Sequence, residues 1–180
     1  RVRIAQELLK AGQTRQAIAE VERVQRLIVE SGQATAPSYH HMLRDLLAIA
    51  CLRLGEQENC LANHTIESCL LPIQGGGVHA LTESSRRAVD LYLANLEDQP
   101  DDLAAQWLLN IAYMTLGEYP QGVPQRWLIP PQVFASDHDV GRFRDVAPAA
   151  GLATVSRSGG SIIEDLDGDG LLDVVASSSG

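Results

Sequence analysis

The sequence predicts a mainly α-helical chain that ends in a short β segment, and three observations carry this prediction. Apolar residues recur at helical spacing over most of residues 1–119. Four prolines then fall within twelve residues, from Pro120 to Pro131, and they interrupt regular helix. Two short apolar runs flank an aspartate-rich loop between residues 161 and 176. We therefore expect helical hairpins over residues 1–119, a proline-rich linker over 120–136 and a β segment over 137–180.

The composition is that of a folded, acidic protein. The chain has 180 residues, 45% apolar and 21% charged, which is enough apolar material for one or two cores. Its net charge of −9 argues against a nucleic-acid partner, because a backbone-binding surface needs clustered lysines and arginines. No apolar run approaches the roughly 20 residues that cross a bilayer, so we expect no membrane span in this chain.

A helical hairpin is predicted at the start of the chain. Gly12 suits the left-handed end of its first helix, and Thr14 is the expected N-cap of its second. Each helix carries one apolar face, which is formed by Ile4, Leu8 and Leu9 in the first and by Ala17, Val21, Val24 and Ile28 in the second.

A long third helix is predicted from about Ser38 to Leu54. Ser38 is its expected N-cap and Gly55 its expected end. Residues 56–79 lose the helical pattern and are predicted to form an insertion, with Gly75-Gly76-Gly77 as a hinge.

Two further helices complete the helical region and bring the expected number to five. The first resumes near Leu81 and stops before Pro100. The second is capped by Asp101 or Asp102 and ends at Gly117.

Residues at repeat spacing suggest how these helices are arranged. The pattern resembles the tetratricopeptide repeat, in which small residues let two helices approach and a proline ends the second. The resemblance covers residues 1–55 and 80–120, and it implies stacked helical hairpins that leave a groove for partners. The residues that carry it are Ala88, Tyr92, Pro100, Leu109, Tyr113, Gly117 and Tyr119.

Three short segments beyond the prolines have strand character. Residues 141–146 alternate between polar and apolar side chains, and residues 161–163 and 171–176 are short apolar runs. The last two flank the sequence Asp-Leu-Asp-Gly-Asp-Gly-Leu-Leu-Asp, which begins at Asp165. We expect two strands that are joined by this acidic loop.

The acidic loop predicts a calcium site. Ca²⁺ takes six to eight oxygens, and alternating aspartates in a coiled loop can turn their carboxylates toward one ion while Gly170 supplies a left-handed turn. The loop begins like that of a helix–loop–helix calcium hand but has alanine at the twelfth position and strands on both sides. The predicted ligands are the carboxylates of Asp165, Asp167, Asp169 and Asp173 and the carbonyl of Leu171.

Asp-x-Asp-Gly-Asp-Gly-x-x-Asp between two short strands is similar to the loop of FG-GAP and VCBS repeats, the calcium-bearing blades of integrin-like β-propellers. Residues 143–147 (Phe-Arg-Asp-Val-Ala) and 150–152 (Ala-Gly-Leu) resemble the lead-in to the first such repeat in the cartilage acidic protein and ASPIC/UnbV group. The resemblance implies secreted or cell-surface binding, a structural calcium ion and the opening of a propeller-type repeat.

The insertion contains a second group of chemically active residues. Cys60 and Cys69 could form a disulfide, remain free thiols, or join His64 in a zinc site whose fourth ligand would be His79 or the His40-His41 pair. Asn63 opens the triplet Asn-His-Thr, which is an N-glycosylation acceptor pattern.

Together these features predict a non-catalytic, calcium-binding interaction or adhesion module that acts outside the cytoplasm, at an extracellular, cell-surface or periplasmic site. Its expected partners are proteins or glycans. The alternative is a structural subunit of an extracellular filament, in which chains self-associate by sharing strands or by stacking helical repeats. We do not expect an enzyme, because no acid–base pair or activated nucleophile stands out.

Overall fold

The computed structural model describes most of the chain, and it is mainly helical with a small antiparallel sheet toward the C-terminus. This confirms the predicted order of a helical region followed by a short β segment. The chain divides into two compact units, Arg1–Ser136 and Asp137–Gly180, and each is considered by itself. The described residues are 1–32, 34–65, 67–135, 141, 143–153 and 158–178.

The first unit is a succession of α-helices in which each helix packs on the next. None of the described helices has the length and apolar character that a membrane span requires. The core is mainly aliphatic, with Leu43, Leu96 and Leu109 among its largest fully buried side chains, together with the aromatic side chain of Tyr92. Its helices are α1 (Val2–Lys10), α2 (Thr14–Ser31), α3 (Pro37–Asn63), α4 (Glu83–Asp98) and α5 (Leu103–Thr115).

The turn between α1 and α2 follows the prediction at Gly12 but not at Thr14. Gly12 has a φ of +76°, and the N–H of Gln13 donates to the carbonyl of Leu8 at 2.9 Å. The first residue of α2 is Thr14, so Gln13 takes the N-cap position and the Thr14 side chain is buried. The prediction that Thr14 caps this helix was therefore wrong.

The other predicted caps had mixed outcomes. The Asp102 carboxylate accepts a hydrogen bond from the N–H of Ala105 at 3.0 Å, which selects Asp102 over Asp101 as the cap of α5. Ser38 does not cap α3, because the helix begins one residue earlier, at Pro37. Proline suits a first helical position, since its fixed φ is helical and its missing N–H has no partner there.

The third helix does not end at Gly55, which corrects the predicted boundary. It continues to Asn63, so residues 56–63 are helical. A Cβ at Gly55 would lie 2.8 Å from the Ser85 hydroxyl oxygen of α4, so the glycine permits a close helix contact. Farther along the same helix, the Asn59 amide donates to the carbonyl of Leu81 and accepts from its N–H, both at 2.9 Å.

The predicted hinge at residues 75–77 is a tightly packed 3₁₀ turn instead. Cβ atoms on Gly75 and Gly77 would lie 2.7 Å and 2.6 Å from oxygens of Glu67. The Glu67 carboxylate also accepts a hydrogen bond from the N–H of Gly76 at 2.7 Å. The glycines therefore allow backbone and side chain to approach closely in an ordered loop.

Residues 120–135, which the sequence predicts to be a linker, pack on the helices of the first unit. Trp127 is buried, and the buried side chain of Asn110 in α5 holds this segment by two hydrogen bonds. Its amide donates to the Trp127 carbonyl at 2.8 Å, and its carbonyl oxygen accepts from the N–H of Ile129 at 3.0 Å. The ring of Phe134 lies against Trp107 with 5.5 Å between ring centroids.

The second unit contains an antiparallel hairpin of β1 (Ser158–Glu164) and β2 (Asp173–Ser178). Both predicted strands are present, although β2 begins at Asp173 and not at residue 171. Ile162 pairs with Val175, and Glu164 pairs with Asp173 next to the loop.

Residues 141–146 have strand-like alternation in the sequence, but the part of this segment that the structure describes, 141 and 143–146, contains no strand. The Asp145 carboxylate accepts from the N–H of Ala147 at 3.0 Å, and the carbonyl of Val146 accepts from the N–H of Ala150 at 2.9 Å. These local hydrogen bonds fold the chain into turns and compete with strand pairing.

Asn110 and Asn95 provide a matched test of this fold, because both side chains are fully buried. We expect Asn110→Leu to cost about 2–3 kcal/mol of unfolding free energy, since it leaves polar groups of residues 127 and 129 without partners.

The control is Asn95→Leu. Within the described residues neither polar atom of the Asn95 side chain has a hydrogen-bond partner, so we expect little loss or a gain in stability. Urea unfolding followed by far-ultraviolet circular dichroism measures both variants. Equal destabilisation by the two substitutions would contradict the assigned role of Asn110.

Candidate metal centre

The acidic loop brings three carboxylates together at the closed end of the β hairpin. Asp165 directly follows β1, Asp173 is the first residue of β2, and Asp167 lies in the loop between them. One carboxylate oxygen from each lies within 4.8 Å of the other two. Two oxygens that bind one Ca²⁺ can be separated by at most twice the Ca–O distance, about 4.6–5.2 Å. The three aspartates are therefore close enough to share one ion.

Asp165 organises the loop through hydrogen bonds to the backbone. Its Oδ1 accepts from the N–H groups of Gly168 at 2.8 Å and Asp169 at 3.1 Å, and its Oδ2 accepts from that of Gly170 at 3.0 Å. Gly168 and Gly170 have φ angles of +78° and +84°, which glycine adopts without the steric cost that a Cβ brings. The loop is thus coiled around the Asp165 carboxylate.

Two of the predicted ligands, Asp169 and Leu171, are not part of the group of three carboxylates. The Asp169 carboxylate is outside the group of three and accepts from the N–H of Leu171 at 2.8 Å. Leu171 is thus a backbone donor in the loop, and a ligand role for its carbonyl stays a prediction. Asp173 also accepts from the N–H of Leu166 at 3.0 Å, which joins the two ends of the loop.

No lysine, arginine or histidine forms an ion pair with Asp165, Asp167 or Asp173 within the described residues. Like charges about 4 Å apart repel by roughly 1 kcal/mol in bulk water and by more where water is partly excluded. A hard dication would replace this repulsion by attraction, and its preferred ligands are oxygens.

The cysteines are unpaired in the structure. Cys60 and Cys69 are exposed free thiols, whereas Cys51 is buried in the helical core, and this burial raises the pKa of its thiol to about 11. The Cys60–Cys69 disulfide therefore stays a prediction for oxidising conditions. Asn63 is the last residue of α3 and is exposed, so glycosylation there also stays a prediction.

Comparison with known proteins returned no match. No family model matches the sequence, and neither a curated protein nor a solved structure is similar to it.

Proposed function

We propose that this chain is a non-catalytic, calcium-binding interaction module. The observation that supports it is the group Asp165, Asp167 and Asp173, whose oxygens lie within 4.8 Å of one another with no basic partner among the described residues. In this proposal the ion is structural: it ties the end of β1 to the start of β2. Asp169 would join the site by rotation of its exposed side chain, and solvent would complete the coordination.

Calcium suits this loop better than magnesium. Ca²⁺ accepts six to eight oxygens in flexible geometry, whereas Mg²⁺ demands a near-ideal octahedron and gives up its waters reluctantly. The loop offers several carboxylates on an exposed, irregular turn. Extracellular calcium modules bind with dissociation constants of about 10⁻⁴–10⁻³ M, and an exposed site of this kind fits that range. We therefore propose an extracytoplasmic location.

The hairpin itself supports an interaction role. Successive strand residues point to opposite faces, so Ile162 and Ile163 present apolar side chains on both faces of β1, as Val174 and Val175 do on β2. Ile162 is 61% exposed and Ile163 60% exposed. A two-stranded hairpin is marginally stable alone in water. We propose that calcium holds this apolar hairpin in register for packing against further β structure, as in the FG-GAP and VCBS repeats that the loop resembles.

The helical unit offers a second surface for partners. Val29 of α2, Leu61 of α3 and Leu103 of α5 are all strongly exposed apolar side chains. Stacked helical hairpins of the tetratricopeptide type form extended binding surfaces. We propose that proteins or glycans bind there, and that the tetratricopeptide-like spacing reflects this use.

Calcium titration tests the proposal directly. By isothermal titration calorimetry we expect one Ca²⁺ per chain with a dissociation constant of about 10⁻⁴–10⁻³ M. Asp165→Asn should weaken binding about tenfold or more, because it removes a charge at the centre of the loop.

The matched control is Asp101→Asn, which changes an exposed aspartate next to α5 by the same chemistry. We expect its calcium affinity to equal that of the parent chain. Absence of saturable binding in the parent chain, or equal weakening by both substitutions, would reject the calcium site.

The glycine geometry gives an independent prediction. Gly170→Ala should weaken calcium binding roughly fivefold to thirtyfold, because an L-residue at this φ costs about 1–2 kcal/mol. Gly160→Ala is the control, since its φ is not in the left-handed region and an added Cβ meets no atom within 4 Å. Equal affinities for the two variants would mean that the coiled loop is not the binding conformation.

A second candidate function is that of a filament subunit. The exposed apolar faces and the open strand edges of the described hairpin support it, because such edges pair readily with strands of other chains. The interaction-module proposal expects single chains in solution, whereas strand sharing expects larger assemblies.

Light scattering after size-exclusion chromatography distinguishes the two functions. If chains share strands, we expect assemblies larger than one chain in the presence of calcium. The double variant Ile162→Lys, Val175→Lys should then be a single chain. Val133→Lys, at an exposed site of the helical unit, should leave the assemblies intact. Single chains at every calcium concentration would reject the filament.

A further inference from the structure

A cleft in the helical unit brings together half of the chain's eight cysteines and histidines. It is lined by Cys60, His64, Cys69 and His79, and its volume is about 480 Å³. Its walls are mostly apolar and come from α3, α5 and the loop that follows α3. The apolar lining residues are Leu52, Leu71, Ile73, Trp107, Leu108 and Ile111.

The loop after α3, which carries His64, Cys69 and His79, contains hydrogen bonds of its own. The N–H of Thr65 donates to the Ser68 hydroxyl at 2.9 Å, and the Thr65 hydroxyl accepts from the N–H of Glu67 at 3.2 Å. Glu67 in turn holds the glycine turn at residues 75–77. Fixing a long loop costs conformational entropy, and long ordered loops usually serve a function.

Cys60 lies in the last turn of α3, and His64 is the residue that directly follows the helix. Cys69 follows in the loop, and all three are exposed. The donor atoms are not gathered in the structure: among the described residues only the aspartate group meets that condition. Exposed side chains change rotamer within nanoseconds, so an ion could draw these three together.

His79 is held in place at the cleft by two hydrogen bonds. Its ring Nδ1 shares a hydrogen bond of 2.9 Å with the buried Ser85 hydroxyl, and its backbone N–H donates to the Thr115 carbonyl at 2.8 Å. Burial lowers the pKa of the imidazole. With Nδ1 engaged by Ser85, Nε2 is the ring nitrogen available to a ligand, and such support of the other ring nitrogen is usual in metal sites.

The other candidates for the fourth ligand lie elsewhere. His40 and His41 are at the opposite end of α3, about 19 residues before Cys60, which corresponds to roughly 30 Å along a helix. His40 shares a hydrogen bond with the Thr35 hydroxyl, and His41 lies 3.4 Å from the Asp102 carboxylate. The structure therefore selects His79 from the alternatives that the sequence left open.

We propose that Cys60, His64, Cys69 and His79, which line one cleft, bind one Zn²⁺ ion. Two thiolates and two imidazoles form a tetrahedral set typical of structural zinc. Each thiol releases its proton as its sulfur binds the ion, so the two thiolates neutralise the dication beside apolar walls. The proposal does not depend on calcium binding by the acidic loop.

Metal titration of the full chain tests this site, with excess calcium present to occupy the acidic loop. We expect one Zn²⁺ per chain, with release of close to two protons when titrations in buffers of different ionisation enthalpy are compared. Co²⁺ should give a thiolate-to-metal charge-transfer band in the near ultraviolet. The double variant Cys60→Ser, Cys69→Ser should lose that band, and His79→Gln should weaken binding about tenfold or more.

His40→Gln is the matched control and should bind Zn²⁺ like the parent chain. Alkylation by iodoacetamide gives a measurement that needs no variant: Zn²⁺ should protect Cys60 and Cys69. The proposal is overturned if the double cysteine variant binds Zn²⁺ as tightly as the parent, or if Zn²⁺ leaves alkylation unchanged. It is also overturned if the purified chain contains a Cys60–Cys69 disulfide, since a disulfide removes both thiolate ligands.

Discussion

Repulsion among three carboxylates at the closed end of a β hairpin is the constraint on which this account of the second unit depends. Asp165, Asp167 and Asp173 approach one another closely, and no basic side chain among the described residues offsets their charges. Backbone N–H groups offset part of that cost by donating to Asp165. A bound dication would neutralise the remaining repulsion between the carboxylates. It would also join the end of β1 to the start of β2.

Different interactions stabilise the helical unit. Small residues let helices approach closely, and buried side-chain amides bind the backbone of the loops. Gly55 lets α4 come near α3, and Asn59 then fixes the backbone of Leu81 from both sides. Asn110 does the same for the segment after α5. These amides bind backbone groups distant in sequence and so hold the segments after α3 and α5 against the helices. Asn59 also lines the cleft of Cys60 and His79.

Helix positions and the acidic loop were predictable from sequence because both are local. Apolar periodicity identified every α-helix that the structure describes, and aspartate spacing singled out the three carboxylates that the structure gathers. The predicted ends of elements were wrong where a contact with a residue distant in sequence determines the backbone conformation. Gly55 was predicted to end the helix, but the glycine instead leaves space for the side chain of Ser85, which is thirty residues away in sequence. The 75–77 glycines looked mobile because their contact with Glu67 depends on the folded loop.

The most direct test of the central claim is a calcium titration followed by amide resonances in two-dimensional ¹H–¹⁵N NMR. We expect saturable shifts of the Gly168 and Gly170 amides at up to millimolar calcium, together with slower hydrogen exchange across β1 and β2. Loop resonances that stay fixed throughout the titration would contradict the account.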